Sequence, residues 1–270
     1  MKDSASDKPT FLSALGCFAD RVPSRRGFAR GTIALGLMSA VLSLLSSPFN
    51  VCAETDTPHP QSTWSSNPAD GDWDTAANWV PARVPNGIAD FAIFDTSTIT
   101  NVTTAFAEVH SVTFNPGASA FTLNGQFFFN DGGVVNNAGV MQTFTGFFSF
   151  AKHANAGNNL ITYHITSGGG FGDNTNAGSA TFINDGNMGF SGTPRSGSPA
   201  SAGSSTIINN GTLRFKKADG GTATIYNNGA SSAGGAAGYL RFASTGAAAC
   251  TVICGGGPGF GAKGSLGDCP

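Results

Sequence analysis

Few residues in this 270-residue chain combine the type and the spacing that chemistry needs. All three tryptophans, Trp64, Trp73 and Trp79, fall in one short stretch among Asp, Asn, Pro and Gly. An indole joins a large apolar surface to a single N–H donor, which suits either a sugar-stacking platform or a hydrophobic plug. Asp70, Asp72 and Asp74 alternate like the first ligands of a calcium loop, but the Gly and the closing Glu of that loop are missing. A solvated turn is therefore the expectation there. GGGFGD at 168–173 has a faint likeness to a glycine-rich calcium nonapeptide, yet it occurs once. His153 and His164 have no partner at a useful spacing and read as solvated loop histidines. Cys250, Cys254 and Cys269 are odd in number and lack the fourth ligand that zinc would want. Acids are dispersed, and Asp185 and Asp219 occupy turn positions that Asn fills elsewhere. No Ser–His–Asp order, phosphate loop or dinucleotide fingerprint is present. The expectation is no catalytic residue, no cofactor and no metal.

The elements that would position these residues follow from composition. Charged residues are 11% of the chain and glycines number 38, against about 25% charged and about 7% Gly in an average domain. Fourteen Lys and Arg against sixteen Asp and Glu leave no basic field for nucleic acid. Gly, Asn, Ser and Thr disfavour helices, and no window carries a sustained apolar stripe of helical period. After residue 90 the chain is a series of short runs rich in Phe, Val, Ile and Thr, broken by NPG, NG, NDGG and NNAG turns.

Internal repetition then selects an architecture. AGSATFINDGNMGF at 177–190 recurs as AGSSTIINNGTLRF at 202–215. A third copy begins at GTATIYNNG, 221–229, with its closing strand displaced to GYLRF at 238–242. A strand–turn–strand unit this short cannot bury a core alone and must stack on its neighbours. The reading is an all-β parallel β-helix (β-solenoid) of seven or eight rungs over 96–245. Residues 54–95 form an N-terminal cap containing the three Trp, and 246–270 a divergent, disordered Gly-rich tail. Period-2 alternation sends the Ile or Phe of Thr-[FI]-x-Asn and the final Phe inward, and the Asn-[DN]-Gly step turns the corner. Corner Asn residues should stack into amide ladders. In-register stacking also accounts for the low charge, since like charges about 4.8 Å apart repel. Trp64, Trp73 and Trp79 are expected to plug the open first rung, with a sugar contact as the alternative.

The first 53 residues differ. They hold six of the basic residues and three of the acidic ones, leaving 8 against 13 afterwards. TIALGLMSAVLSLL, 32–45, has the length of a signal-peptide apolar core and is too short to span a bilayer. Val51-Cys52-Ala53 supplies small residues for a signal peptidase, placing cleavage between Ala53 and Glu54. Ser24-Arg25-Arg26-Gly27-Phe28-Ala29-Arg30 resembles the bacterial twin-arginine export signal, carried by Arg25, Arg26 and Phe28 and departing at Ala29. The general export route is the alternative.

The opening WDTAANWVPARVPNGIADFAIFD, the following VTFNPGASAFTL and the repeated AGxxTIxNNGxLxF units resemble the passenger region of bacterial autotransporter-type proteins with autotransporter-associated β-strand repeats. The likeness covers about residues 63–245. It implies an exported β-helix displayed on, or released from, the surface of a Gram-negative cell, serving adhesion or presentation toward a glycan or a host surface. Residues 246–270 hold no strands of the outer-membrane barrel with which such proteins anchor themselves. The functional expectation is a non-catalytic exported surface or secreted protein, adhesin- or passenger-like. The alternative is a glycan-binding or polysaccharide-acting β-helix.

Overall fold

The computed structural model describes residues 60–193, 197–228, 238–243 and 250–254, together with the backbone of 266–267. The cap supplies β1 (Gln61–Trp64), a 3-10 turn at Ala76–Asn78, β2 (Trp79–Val80) and β3 (Gly87–Phe94). Next come β4 (Asn101–Thr103), β5 (Ala107–Phe114), β6 (Thr122–Asn136), β7 (Gln142–Ala151) and β8 (Ile161–Phe171). Shorter strands then alternate: β9 (Thr181–Asn184), β10 (Asn187–Ser191), β11 (Thr206–Asn209) and β12 (Thr212–Lys216). The last are β13 (Thr224–Asn227), β14 (Tyr239–Ala243), β15 (Thr251–Cys254) and β16 (Leu266–Gly267). There is no α-helix among the described residues.

The strands pair almost entirely in parallel, each with a strand one turn of the chain away, and they build a β-solenoid of about seven turns. Each turn contributes to three ladders. The first runs from β4 through the starts of β6, β7 and β8 to β9, β11, β13 and β15. The second runs through the middle of β6 and the ends of β7 and β8 to β10, β12, β14 and β16. The third joins β1, β3 and the ends of β5 and β6, then narrows to single bridges at Asn155, Asn176, Ser201 and Asp219. The repeat units lie in register: Thr206 faces Thr181 on one side and Thr224 on the other, and Phe215 likewise faces Phe190 and Phe242. The displaced closing strand of the third copy is thus confirmed.

The inward positions form columns. Phe150, Phe171, Phe190, Phe215 and Phe242 stack at successive centroid distances of 4.4, 4.6, 4.7 and 4.7 Å with their ring planes nearly parallel. A second column, Phe144–Tyr163–Phe182, continues as Ile207 and Ile225. Stacked pairs of this kind contribute about 0.5–1.5 kcal/mol beyond area burial. At the first corner Asn184, Asn209 and Asn227 are buried; Asn184 Nδ2 donates to Asn209 Oδ1 at 2.7 Å, Asn209 Nδ2 to Asn227 Oδ1 at 2.6 Å, and Asn227 Nδ2 to the Gly238 carbonyl at 2.9 Å. The ladder starts where Ile165 faces Asn184 and offers no donor, so the Asn184 Oδ1 has no hydrogen-bond partner.

Three sequence expectations are revised. The third ladder is absent from the strand–turn–strand reading, because a one-residue bridge leaves no apolar run to see. Its residues Asn155, Asn176, Ser201 and Asp219 each accept the N–H of the glycine two places on, at 2.7, 2.6, 3.1 and 2.9 Å. Side chains that make this turn are interchangeable there. Second, within the repeats 177–190 and 202–215 the left-handed glycines are those of the Ala-Gly step, Gly178 at φ +63° and Gly203 at φ +59°, and not those of the Asn-[DN]-Gly corner. Gly186 is required for closeness instead: a Cβ there would lie 2.6 Å from the Ser167 carbonyl oxygen one rung away. Third, the stack passes Thr245, since Thr251–Cys254 pairs in register with Thr224–Asn227.

Candidate functional site

The cap brings the three tryptophans together. Trp64 leaves the end of β1, Trp79 opens the antiparallel partner strand β2, and Trp73 follows Asp72, which bridges to Thr103. All three are buried, at 1%, 0% and 1% exposure, so no indole face is open to a sugar. Trp79 meets Trp64 and Trp73 edge-on at 5.1 and 4.7 Å, and all three rings contact Phe94. Their N–H groups donate to the carbonyls of Ile99, Pro85 and Trp73 at 3.1, 3.2 and 2.7 Å. The geometry is that of a satisfied plug on the first rung, and the sugar-contact alternative for these residues is withdrawn.

The neighbouring carboxylates close turns. Buried Asn78 donates to Asp70 Oδ1 at 2.6 Å and accepts from the Ala69 N–H at 2.8 Å. That amide bond, with the Asp72 N–H, holds the Asp70 carboxyl below its ordinary value. Asp72 accepts from the Asp74 N–H and Thr75 Oγ1, and Asp74 from Thr104 Oγ1. Among the described residues no three acidic, His or Cys side chains converge on a metal position. Within GGGFGD, Asp173 accepts from the N–H and hydroxyl of Thr193, tying two rungs together.

Both histidines have partners that sequence spacing hides. His153 Nδ1 lies 3.0 Å from Asp131, and His164 Nε2 2.5 Å from Asp185, each pair joining neighbouring rungs. Lys152 adds an ion pair to Asp131 at 3.4 Å. The histidine bonds hold both carboxyls below their ordinary values, Asn210 assisting at Asp185. A carboxylate of lowered pKa is a weaker base still, which is the wrong direction for proton abstraction near neutral pH. Asp185 also starts an outer amide row, accepting from Asn210 at 2.7 Å, which accepts from Asn228 at 2.6 Å. A partner one turn away can be found from sequence only by aligning the repeats and reading across them.

The outer surface carries two further arrangements. Phe106, 43% exposed, contacts Phe128 at 5.0 Å, and Phe128 contacts Phe147 at 5.4 Å, forming an outward aromatic cluster beside the second ladder. On the first ladder Thr122, Thr143, Thr162, Thr181, Thr206, Thr224 and Thr251 stand directly in register. A cleft of about 260 Å³ lies between the third-ladder rungs, lined by Val134, Val135, Asn136, Asn155 and Asn158.

Arg25, Arg26, Phe28, Ala53, Glu54 and Cys269 lie outside the described residues. Cys250 is half-buried and Cys254 exposed. No helix among the described residues is long and apolar enough to cross a membrane. Comparison with protein-family models, with curated proteins and with solved structures gave no match. The passenger resemblance therefore rests on the quoted residues alone.

Proposed function

We propose that this protein is an exported, non-catalytic β-solenoid that acts through its sides, in the manner of an adhesin or passenger domain. The carrying observation is the distribution of side chains on the stack. Groups able to move protons, such as Asp131, Asp185, His153 and His164, are engaged in rung-to-rung contacts, while the outer face of the first ladder presents rows of uncharged threonine and isoleucine. Repeat stacks characteristically bind along such extended surfaces. The basic, apolar leader supports export.

Fractionation of cells producing the protein tests this. The expected result is mature protein in the envelope or the medium, with Arg25→Lys plus Arg26→Lys retaining it in the cytoplasm if the twin-arginine route is used. Wild-type protein confined to the cytoplasm would refute export. The Phe106–Phe128–Phe147 cluster favours glycan binding as the second reading, because an exposed aromatic face can stack on a sugar ring. Glycan-array binding that disappears in Phe106→Ala would establish it, and unchanged binding would remove the cluster from any site.

A further inference from the structure

The row of seven threonines on the first ladder is not explained by the fold. Inside the stack, repetition is forced by packing, but an outward position tolerates most polar residues. A threonine nevertheless stands at this place on seven successive rungs, from Thr122 to Thr251. Threonine ladders can stabilise a sheet by bonding hydroxyl to hydroxyl across strands. That does not happen here. Only the Thr162 hydroxyl finds a protein partner, the Met141 sulfur at 3.4 Å. The other six hydroxyls make no hydrogen bond among the described residues.

The same face has a second row two residues on: Thr145, His164, Ile183, Ile208, Tyr226 and Ile253. From β9 onward it is aliphatic or aromatic, with Ile253 43% and Tyr226 39% exposed. The face thus pairs a line of free hydroxyls and methyls with a line of apolar groups. Between Thr143 and Ile253 the two rows hold one ionisable side chain besides the phenol of Tyr226, His164, whose ring bonds the exposed Asp185 at the border of the face. Ring stacking spaces successive rungs 4.6–4.7 Å apart in the second-ladder column and 5.0 Å apart in the Phe144–Tyr163–Phe182 column behind this face. Six steps at about 4.8 Å give a rigid row of roughly 29 Å.

We propose that this threonine face is a binding surface for ice. An ice plane is an uncharged lattice whose equivalent oxygens repeat at nearly the rung spacing. A row of hydroxyls at fixed intervals can enter such a lattice at successive sites, while the methyls and the neighbouring isoleucines hold the intervening water, the one charged contact being the His164–Asp185 pair at the border. Stiffness matters because an ordered row loses little conformational entropy on docking. A crystalline polysaccharide is a poorer occupant: sugar rings call for aromatic platforms, and this face offers only Tyr226. The proposal goes beyond the adhesin reading, since it needs the face and not the export route.

The test is nanolitre osmometry on the purified full-length protein, with ice-crystal shape recorded beside a serum albumin control. The expected result is faceted crystals and a freezing point below the melting point. Thr206→Lys and Thr206→Tyr, at the middle of the row, should each reduce that gap several-fold with circular dichroism and melting unchanged. Tyr favours strands, so the second variant keeps the test sound if Lys disturbs folding. Arg214→Ala, on the exposed side of the second ladder, should leave the gap intact. Wild-type protein that neither shapes ice nor depresses freezing would overturn the proposal, as would a gap insensitive to both Thr206 variants. Co-sedimentation with microcrystalline cellulose or chitin that the variants abolish, in the absence of any freezing effect, would reassign the row to polysaccharide.

Discussion

Asn209 is the sharpest test of the amide ladder. Its Oδ1 accepts from Asn184 at 2.7 Å, and its Nδ2 donates to Asn227 Oδ1 at 2.6 Å and to the Tyr239 carbonyl at 3.2 Å. Asn209→Ala strips Asn227 Oδ1 of its donor in a buried position, at a cost of about 1–3 kcal/mol. Asn184 Nδ2 keeps its second acceptor, the Thr212 carbonyl at 2.9 Å. Its loss is therefore a net hydrogen bond of about 0.5–1.5 kcal/mol. The sum is about 1.5–4.5 kcal/mol.

Asn209→Asp adds a sign that packing cannot imitate. Ionised, the new carboxylate can still accept from Asn184, but it faces two oxygens where the amide donated. Burial and those oxygens disfavour the charged form, so the folded pKa rises above the unfolded value of about 3.9. The folded state then binds more protons than the unfolded one. Stability of the variant is greatest below that unfolded value and falls by about 1.4 kcal/mol per pH unit until the folded pKa is passed. Urea unfolding of wild type, Asn209→Ala and Asn209→Asp, followed by far-ultraviolet circular dichroism from pH 3 to pH 8, measures both effects. A cost below about 1 kcal/mol for Asn209→Ala would refute the ladder as a stabilising network. So would an Asp variant whose deficit relative to wild type is independent of pH.

Two other expectations concern glycine and acid. Gly178→Ala should destabilise well beyond the left-handed penalty of about 1–2 kcal/mol, because its Cβ would collide with the Gly157 carbonyl. Gly139→Ala, at φ +75° with open space around it, should cost only that penalty, so equal melting temperatures for the two variants would contradict the close approach of rungs. Asp131 and Asp185 have lowered folded pKa values, so their contribution is complete above the unfolded value and is lost as pH falls through the folded one. Carboxyl-carbon NMR should show both titrating below 3.8, and His164→Ala should move Asp185 back toward that value. No movement would remove the imidazole as the cause.

The sequence by itself determined the class of fold, the inward columns and the rung alignment of 177–190, 202–215 and 221–242. It could do so because a stack repeats the same physical demand at each rung, and repeated demands leave repeated letters. It also placed the tryptophans together, leaving plug and platform both open. Tertiary structure decided what depended on contacts between turns. It buried Trp64, Trp73 and Trp79, paired His153 with Asp131 and His164 with Asp185, and revealed a third ladder built from single residues. It set Thr122, Thr143 and Thr162 in line with the threonines of the recognisable repeats, although their segments lack the Asn-[DN]-Gly corner that makes the later repeats legible. Variable spacers between rungs hide such alignments from the linear chain, and only the hydrogen-bonded register restores them.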